Sequence, residues 1–166
     1  YVYFNLLHKW GLAEFVQAAA DAGVDGLLVL DLPPEESGGY ESLMAAAGLC
    51  PIYLVAPTTP LDRVELIVKR AKGFIYYVSR EGVTGMQQTV SDTIGPMTQI
   101  IRQHTDIPIA VGFGISNPEQ AAEVARNAEA VVVGSAIVNQ IADKGQATDL
   151  VPTVKAFTAN LINGIR

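Results

Sequence analysis

Glycine-rich segments follow three apolar runs in the second half of the chain, at residues 79–85, 112–116 and 134–136. Glycine lets the backbone approach a ligand closely, and unpaired N–H groups at a helix start bind anions without help from lysine. A single glycine after a strand more often marks only a tight turn. Because these three segments follow successive predicted strands, we interpret them together as a site for a phosphate ester.

Six short runs are predicted to be strands, because most are continuously apolar, as in parallel strands that helices cover. They are residues 2–5, 26–31, 52–56, 74–79, 107–112 and 130–134. Helical patterns lie between the strands and after the last one, at residues 11–22, 92–103 and 149–162. Gly23 is predicted to be a left-handed cap at the end of the first of these helices. Two more helices are predicted to start at Thr59-Pro60 and at Asn117-Pro118. This alternation predicts one parallel sheet in a single domain that covers residues 1–166.

The predicted sheet is a barrel rather than an open dinucleotide-binding sheet. The open fold carries its glycine fingerprint after the first strand, whereas here the nearest match, Gly112-Phe113-Gly114, has Asn117 in place of the third glycine. Barrels bind phosphate at the loops after their last strands. We therefore expect an α/β fold of the TIM (β/α)8 barrel type. It is expected to be incomplete, because about six strands cannot close a barrel that needs about eight.

The composition limits the classes of function. A formal net charge of -6 without a Lys/Arg cluster argues against a nucleic-acid partner. No apolar stretch approaches the roughly 20 residues that cross a bilayer, so no membrane role is expected. Cys50 is the only cysteine, which excludes an internal disulfide and fits a reducing, cytoplasmic location. His8 and His104 have no second ligand at suitable spacing, and no metal site is expected.

Five segments, in order and spacing, resemble the alpha subunit of tryptophan synthase. They are Tyr3-Phe4-Asn5, residues 22–26 continuing through 31–36, 76–85, 112–116 and 134–138. The resemblance implies a lyase of tryptophan biosynthesis that cleaves indole-3-glycerol phosphate to indole and glyceraldehyde 3-phosphate by a retro-aldol reaction. It also implies a beta subunit as partner in an alpha2beta2 complex. No cofactor is expected in this subunit, and pyridoxal phosphate is expected only in the beta partner.

The same resemblance implies roles for individual residues. The substrate phosphate would be held by Thr84, Gly85, Gly114, Gly134 and Ser135, and the indole ring by Leu28, Tyr76 and Phe113. Without the resemblance, the three pocket residues would be assigned to the barrel core and Ser135 to an ordinary N-cap.

Asp31 is the one ionisable residue inside a predicted strand, where a buried carboxylate is costly unless it is paired or functional. This position suggests a role for Asp31 as catalytic base. The resemblance instead implies that Asn5, Asp31 and Pro33 are structural or face the beta partner.

The catalytic acid and base are not assigned to any residue of this chain. In the family, two carboxylates on the second strand and its following loop perform the proton transfers, and the match would put both before Tyr1. We therefore expect a fragment without activity of its own, or a chain that meets its missing units in another molecule. Two other classes stay open: another phosphate-binding barrel enzyme, such as an isomerase or aldolase, and a non-catalytic module that binds or activates a partner. No predicted strand carries the lysine of a Schiff-base aldolase.

Overall fold

Short apolar runs form five parallel strands in the computed structural model, which describes residues 1–79, 90–112 and 114–166. The strands are β1 (Gly26–Leu28), β2 (Cys50–Val55), β3 (Ile75–Val78), β4 (Ile109–Gly112) and β5 (Ala130–Val132). Each pairs with the next in the chain, so their order in the sheet is β1-β2-β3-β4-β5. A doubly wound sheet reverses its strand order, whereas a barrel adds strands in one direction. The order agrees with the predicted barrel and not with the open sheet.

Helices precede the first strand, connect successive strands and follow the last strand. They are α1 (Phe4–Trp10), α2 (Leu12–Asp21), α3 (Gly38–Ala46), α4 (Leu61–Arg70), α5 (Val90–Arg102), α6 (Pro118–Ala125), α7 (Ser135–Lys144) and α8 (Leu150–Gly164), and a short 3-10 helix, η1 (Pro34–Glu36), precedes α3. In α4, Val64, Ile67 and Val68 are buried at helical spacing, while the charged residues Lys69 and Arg70 end the helix.

The two faces of the sheet have different surroundings. Alternate residues such as Tyr53, Ile75 and Val111 pack with the helices in the largest core cluster. The residues between them point to the opposite face, which we call the interior face. Its cluster consists of Leu28, Tyr76 and Ala110, with Ile52, Leu54, Phe74 and Val78 packed against them. Both faces are apolar, which explains why the strand segments read as continuous apolar runs.

The predicted first strand, residues 2–5, is wrong. Val2 forms only an isolated parallel bridge with Val29, and α1 begins at Phe4. The aromatic composition favours a strand locally, but Leu7 on α1 is fully buried and the Asp31 carboxylate accepts a hydrogen bond of 2.6 Å from the Phe4 amide. Tertiary packing and a carboxylate at the helix start therefore override the local preference. Among the described residues the sheet accordingly has five strands instead of the six that were predicted.

Two of the three residues that were predicted to cap helix ends do so. The Asn117 side chain accepts a hydrogen bond of 2.9 Å from the Gln120 amide at the start of α6. Gly23 adopts a left-handed φ of +80° just after α2. The predicted N-cap at Thr59 is wrong, because its hydroxyl accepts a hydrogen bond from the Ala56 amide and α4 begins only after Pro60.

Candidate functional site

The ends of β3, β4 and β5 lie side by side at one rim of the sheet. Val78 is in register with Gly112, and Gly112 is in register with Val132. Beyond β3, the amide and the hydroxyl of Ser79 both donate to the carbonyl of Gly112, at 3.1 and 3.2 Å. The loops that follow these three strands therefore start next to one another, as the glycine-rich segments predicted.

Helix α7 begins at this rim without a capping side chain. Gly134 is its N-cap residue, and the amides of Ile137 and Val138 both donate to the Gly134 carbonyl. The amides of Ser135 and Ala136 precede these bonds and have no partner within the helix. Ser135 is thus the first helical residue, and its assignment as an ordinary N-cap is wrong. A Cβ atom added at Gly134 would meet no heavy atom of the described residues within 4 Å, so packing against that part of the chain does not require glycine there.

Glycine is required for different structural reasons at Gly112, the last residue of β4, and at Gly114, just after it. Gly114 has a φ of +80°, a left-handed conformation in which other residues are strained. Gly112 has no room for a side chain, because an added Cβ would lie 2.6 Å from the Tyr76 hydroxyl and 2.9 Å from Val132 Cβ. Gly114 therefore shapes the turn, whereas Gly112 makes space for Tyr76.

Three predicted site residues lie outside the described residues. They are Thr84 and Gly85 in the segment after β3, and Phe113 between the two glycines. Their roles stay predictions.

Leu28 and Tyr76 lie together on the interior face. Their exposed fractions are 6% and 9%, and both belong to the interior cluster with Ala110. The Tyr76 ring extends to the end of β4, since its hydroxyl lies beside Gly112. Burial and the nearby Tyr1 raise the pKa of Tyr76, so its hydroxyl stays neutral near pH 7. Both residues are therefore buried core residues on the interior face, and Tyr76 reaches the end of β4.

Asn5, Asp31 and Pro33 lie in two segments that a hydrogen bond between Asp31 and Phe4 brings together. Asp31 lies beyond β1, is exposed and bonds to the Phe4 amide, next to Asn5 on α1. Asp31 is therefore not the buried strand carboxylate that its sequence position suggested. Pro33 precedes η1 and is half-buried.

A polar network beneath η1 escaped sequence reasoning. We call it the Ser37 network, and it consists of Ser37, Glu41, Tyr53 and Arg70. The Tyr53 hydroxyl, which has a single proton to donate, lies within hydrogen-bond distance of both the Ser37 hydroxyl and the Glu41 carboxylate, and the Ser37 hydroxyl lies 2.7 Å from that carboxylate. Burial raises the pKa of Glu41, but the hydrogen bonds from Tyr53 and Ser37 and the Arg70 charge outweigh it and lower that pKa. The only sequence signal was Ser37 beside the start of a helix, because the other members come from distant segments.

The described parts of the chain offer no constellation for a metal ion, since no three His, Cys, Asp or Glu side chains come together there. Within the same parts, no helix has the length and apolarity that a bilayer crossing requires.

Comparison with known proteins decides the family. A family model described as the tryptophan synthase alpha chain matches residues 1–164. This chain belongs to the tryptophan synthase alpha chain family. Tryptophan synthase alpha chains of Opitutus terrae and Alkalilimnicola ehrlichii are 48% and 47% identical to it, over 100% and 93% of its residues. The resemblance drawn from the five sequence segments is thereby confirmed.

Solved structures of tryptophan synthase agree in fold. The alpha subunit from Legionella pneumophila is 32% identical and superposes with a TM-score of 0.83 over 98% of this chain. A chain of tryptophan synthase from Mycobacterium tuberculosis, also 32% identical, gives a TM-score of 0.86 over 99% of this chain. The five strands and their helices therefore form part of a TIM barrel, as predicted.

This chain spans only part of the length of its relatives. It covers 63% of the Opitutus protein and 56% of the Alkalilimnicola protein, and 60% of each of the two structures.

Proposed function

We propose that this chain provides the substrate-binding rim of a lyase that cleaves indole-3-glycerol phosphate to indole and glyceraldehyde 3-phosphate. The observation that carries the proposal is the uncapped start of α7 beside the left-handed turn at Gly114, in a chain of the tryptophan synthase alpha family. Isomerase or aldolase chemistry is not favoured, because the family match covers nearly the whole chain.

The phosphate group is proposed to bind at Gly114, Gly134 and Ser135, together with Thr84 and Gly85. Backbone amides at the start of a helix carry a partial positive charge that favours a phosphate. The amides of Ser135 and Ala136 suit this role because α7 has no side-chain cap. The open space beside Gly134 leaves room for the phosphate oxygens.

The indole ring is proposed to lie against Leu28, Tyr76 and Phe113. A flat apolar ring is held well by apolar and aromatic walls with few polar groups. Leu28 and Tyr76 provide such surfaces on the interior face, and the position of the Tyr76 hydroxyl at Gly112 brings this pocket next to the phosphate site.

The proton transfers are not assigned to residues of this chain. Cleavage requires protonation of indole C3, removal of the indole N–H proton and deprotonation of the side-chain hydroxyl, which suits a pair of carboxylates. Asp31 is exposed, and its carboxylate already accepts a hydrogen bond from the Phe4 amide. We therefore place it with Asn5 and Pro33 at the partner-facing surface.

The partner is proposed to be the tryptophan synthase beta subunit. An exposed apolar surface lies along one side of α1 and includes the residue before this helix. It consists of Tyr3, Leu6 and Trp10, with exposed fractions of 57%, 52% and 65%. Contiguous exposed apolar side chains of this kind mark interaction surfaces. The Asp31 bond to Phe4 joins this surface to the region of Pro33.

Gly114→Asp tests the phosphate site in the protein that carries this sequence, produced at its natural length. A side chain and a negative charge at this turn should raise the KM for indole-3-glycerol phosphate by about tenfold or more, since each tenfold corresponds to about 1.4 kcal/mol. Steady-state kinetics of cleavage, with inorganic phosphate as a competing ligand, measure the effect.

Gly48→Asp is the matched control. Gly48 has a similar φ of +72° and no heavy atom within 4 Å of an added Cβ, but it lies between α3 and β2, at the opposite end of the sheet. Its KM should stay at the parent value. An unchanged KM in Gly114→Asp would remove this turn from the phosphate site.

A further inference from the structure

The carbonyl of Pro34 in η1 is held from two directions. It accepts hydrogen bonds of 2.8 Å from the Ser37 hydroxyl and 2.8 Å from Arg70 Nη1, and a longer one of 3.3 Å from the Ser37 amide. Arg70 is the last residue of α4, whereas Ser37 follows η1 directly. The position of this turn is therefore fixed relative to a helix more than 30 residues further along the chain.

Glu41 joins the two sides of this arrangement. Its carboxylate lies within hydrogen-bond distance of the Tyr53 hydroxyl and 2.7 Å from the Ser37 hydroxyl, whose single proton is shared between this carboxylate and the Pro34 carbonyl. Both oxygens of Glu41 also lie 3.4 Å from Arg70 Nη1. Tyr53 belongs to β2, so the Ser37 network ties the turn to the sheet as well as to α3 and α4. Hydrogen bonds to charged groups are stronger than neutral ones, which suits a network that fixes a position.

The network residues Ser37 and Tyr53 are buried, whereas several residues of the neighbouring segment 31–36 are exposed. Ser37 and Tyr53 have exposed fractions of 0% and 6%. In contrast, Asp31, Glu35 and Glu36 are exposed. Apolar residues could stabilise the fold here equally well, whereas a polar network favours one geometry; in this one Ser37 and Tyr53 are buried and Glu41 and Arg70 are partly buried. The exposed pair of Arg63 with Glu35 adds little, because solvent screens it.

We propose that the Ser37 network is a positioning device that sets the geometry of residues 31–36 for docking of the beta subunit. This inference rests on the proposed function, because it concerns the same partner-facing surface. Among the described residues, none of the network's hydrogen bonds involves the candidate phosphate site or the indole pocket, so its loss should alter partner binding and leave cleavage by the free subunit unchanged.

Tyr53→Phe tests the inference in the protein at its natural length, together with the beta subunit of the same organism. The substitution removes one hydroxyl that bonds to both Ser37 and Glu41. We expect the Kd for the beta subunit, measured by calorimetry, to rise by about five- to tenfold, at the lower end of typical coupling between linked sites. Stimulation of cleavage by the beta subunit should need correspondingly more of it, while basal cleavage stays at the parent value.

Tyr40→Phe is the matched control. It removes a buried tyrosine hydroxyl that bonds to the Leu27 carbonyl at 3.1 Å, outside the network. Its Kd for the beta subunit should equal that of the parent. Equal Kd values for the parent and Tyr53→Phe would overturn the inference, and so would equal weakening in both tyrosine variants, which would indicate a general loss of stability.

Glu41→Gln provides a second variant if Tyr53→Phe does not fold. It keeps the volume and one acceptor oxygen but removes the charge that faces Arg70, and it should also weaken beta binding several-fold. Glu65→Gln, which alters only an exposed pair with Lys69, is its control and should bind as the parent does. A parent protein that neither binds the beta subunit nor cleaves the substrate would instead refute the proposed function, and the inference with it.

Discussion

Gly112→Ala should destabilise the protein through Tyr76. The added Cβ would lie 2.6 Å from the Tyr76 hydroxyl, 2.9 Å from Val132 Cβ and 3.1 Å from Tyr76 Cε2. The backbone of Gly112 is paired with strands on both sides, so it cannot move away easily. The Tyr76 ring must therefore shift by several tenths of an ångström.

The expected cost follows from this crowding. Overpacking by a single carbon typically reduces the free energy of unfolding by about 1–3 kcal/mol. Because two contacts of the added Cβ are shorter than 3 Å, we expect Gly112→Ala to reduce that free energy by about 2 kcal/mol. Tyr76→Phe removes the closest atom while Val132 stays. The double variant should therefore recover about 1 kcal/mol of the loss, as a coupling energy between contacting residues.

Chemical denaturation of the four members of this double-mutant cycle measures both quantities. Gly39→Ala in α3 is the control, because its Cβ would meet no heavy atom within 4 Å, and it should be unchanged or more stable by up to about 1 kcal/mol. Strictly additive effects of Gly112→Ala and Tyr76→Phe would refute the reasoning, since the Tyr76 hydroxyl would then not be the group that requires glycine.

Two further predictions concern activity and acid stability. The 166-residue chain alone should not cleave indole-3-glycerol phosphate, because no residue of it is assigned as the acid or the base that the proposed reaction needs; turnover that follows the chain through purification would contradict this. Burial raises the pKa of Glu129, but its bond from the Ile109 amide and its pairing with Arg102 outweigh burial and lower that pKa. Its stabilising contribution is therefore present above the ordinary carboxylate pKa of about 4.3 and is lost as the pH falls through the lower pKa of the folded protein. Glu129→Gln should flatten the fall in unfolding free energy below about pH 5, and an unaltered pH dependence of that free energy in Glu129→Gln would argue against this assignment.

Local sequence patterns predicted the features that depend on local interactions. Continuous apolarity located β2 to β5, because these strands are covered on one face by helices and carry apolar residues on the other. Asn117-Pro118 predicted the start of α6 because the cap is made within four residues. Thr59-Pro60 has the same pattern, but the Thr59 hydroxyl has a second local partner in Ala56, and this bond is the one that forms.

Features that join distant segments could not be predicted in this way. The start of α1 depends on Asp31, a residue 27 positions away, so the aromatic run around Phe4 resembled a strand. The Ser37 network draws its members from α3, β2, α4 and the residue before α3, and no local pattern connects them.

The candidate site was predicted partly by glycine spacing and partly by resemblance. Spacing alone placed the loops after β3, β4 and β5 together, which the register of the strands explains. The resemblance was needed to separate Leu28 and Tyr76 from ordinary core residues, because their burial is that of a core. The roles of Thr84, Gly85 and Phe113 stay predictions.

The sequential strand order has a consequence for how this architecture assembles. Gly26 pairs with Cys50 and Ala110 with Ala130, so every strand finds its partners in the units immediately before and after it. Contacts between near neighbours along a chain form faster than contacts between its ends. Such a chain resembles a linear array of repeats, in which order can nucleate at one βα unit and spread to the adjoining ones. A change within one connecting loop should then disturb its own unit and the next, while more remote units keep their structure.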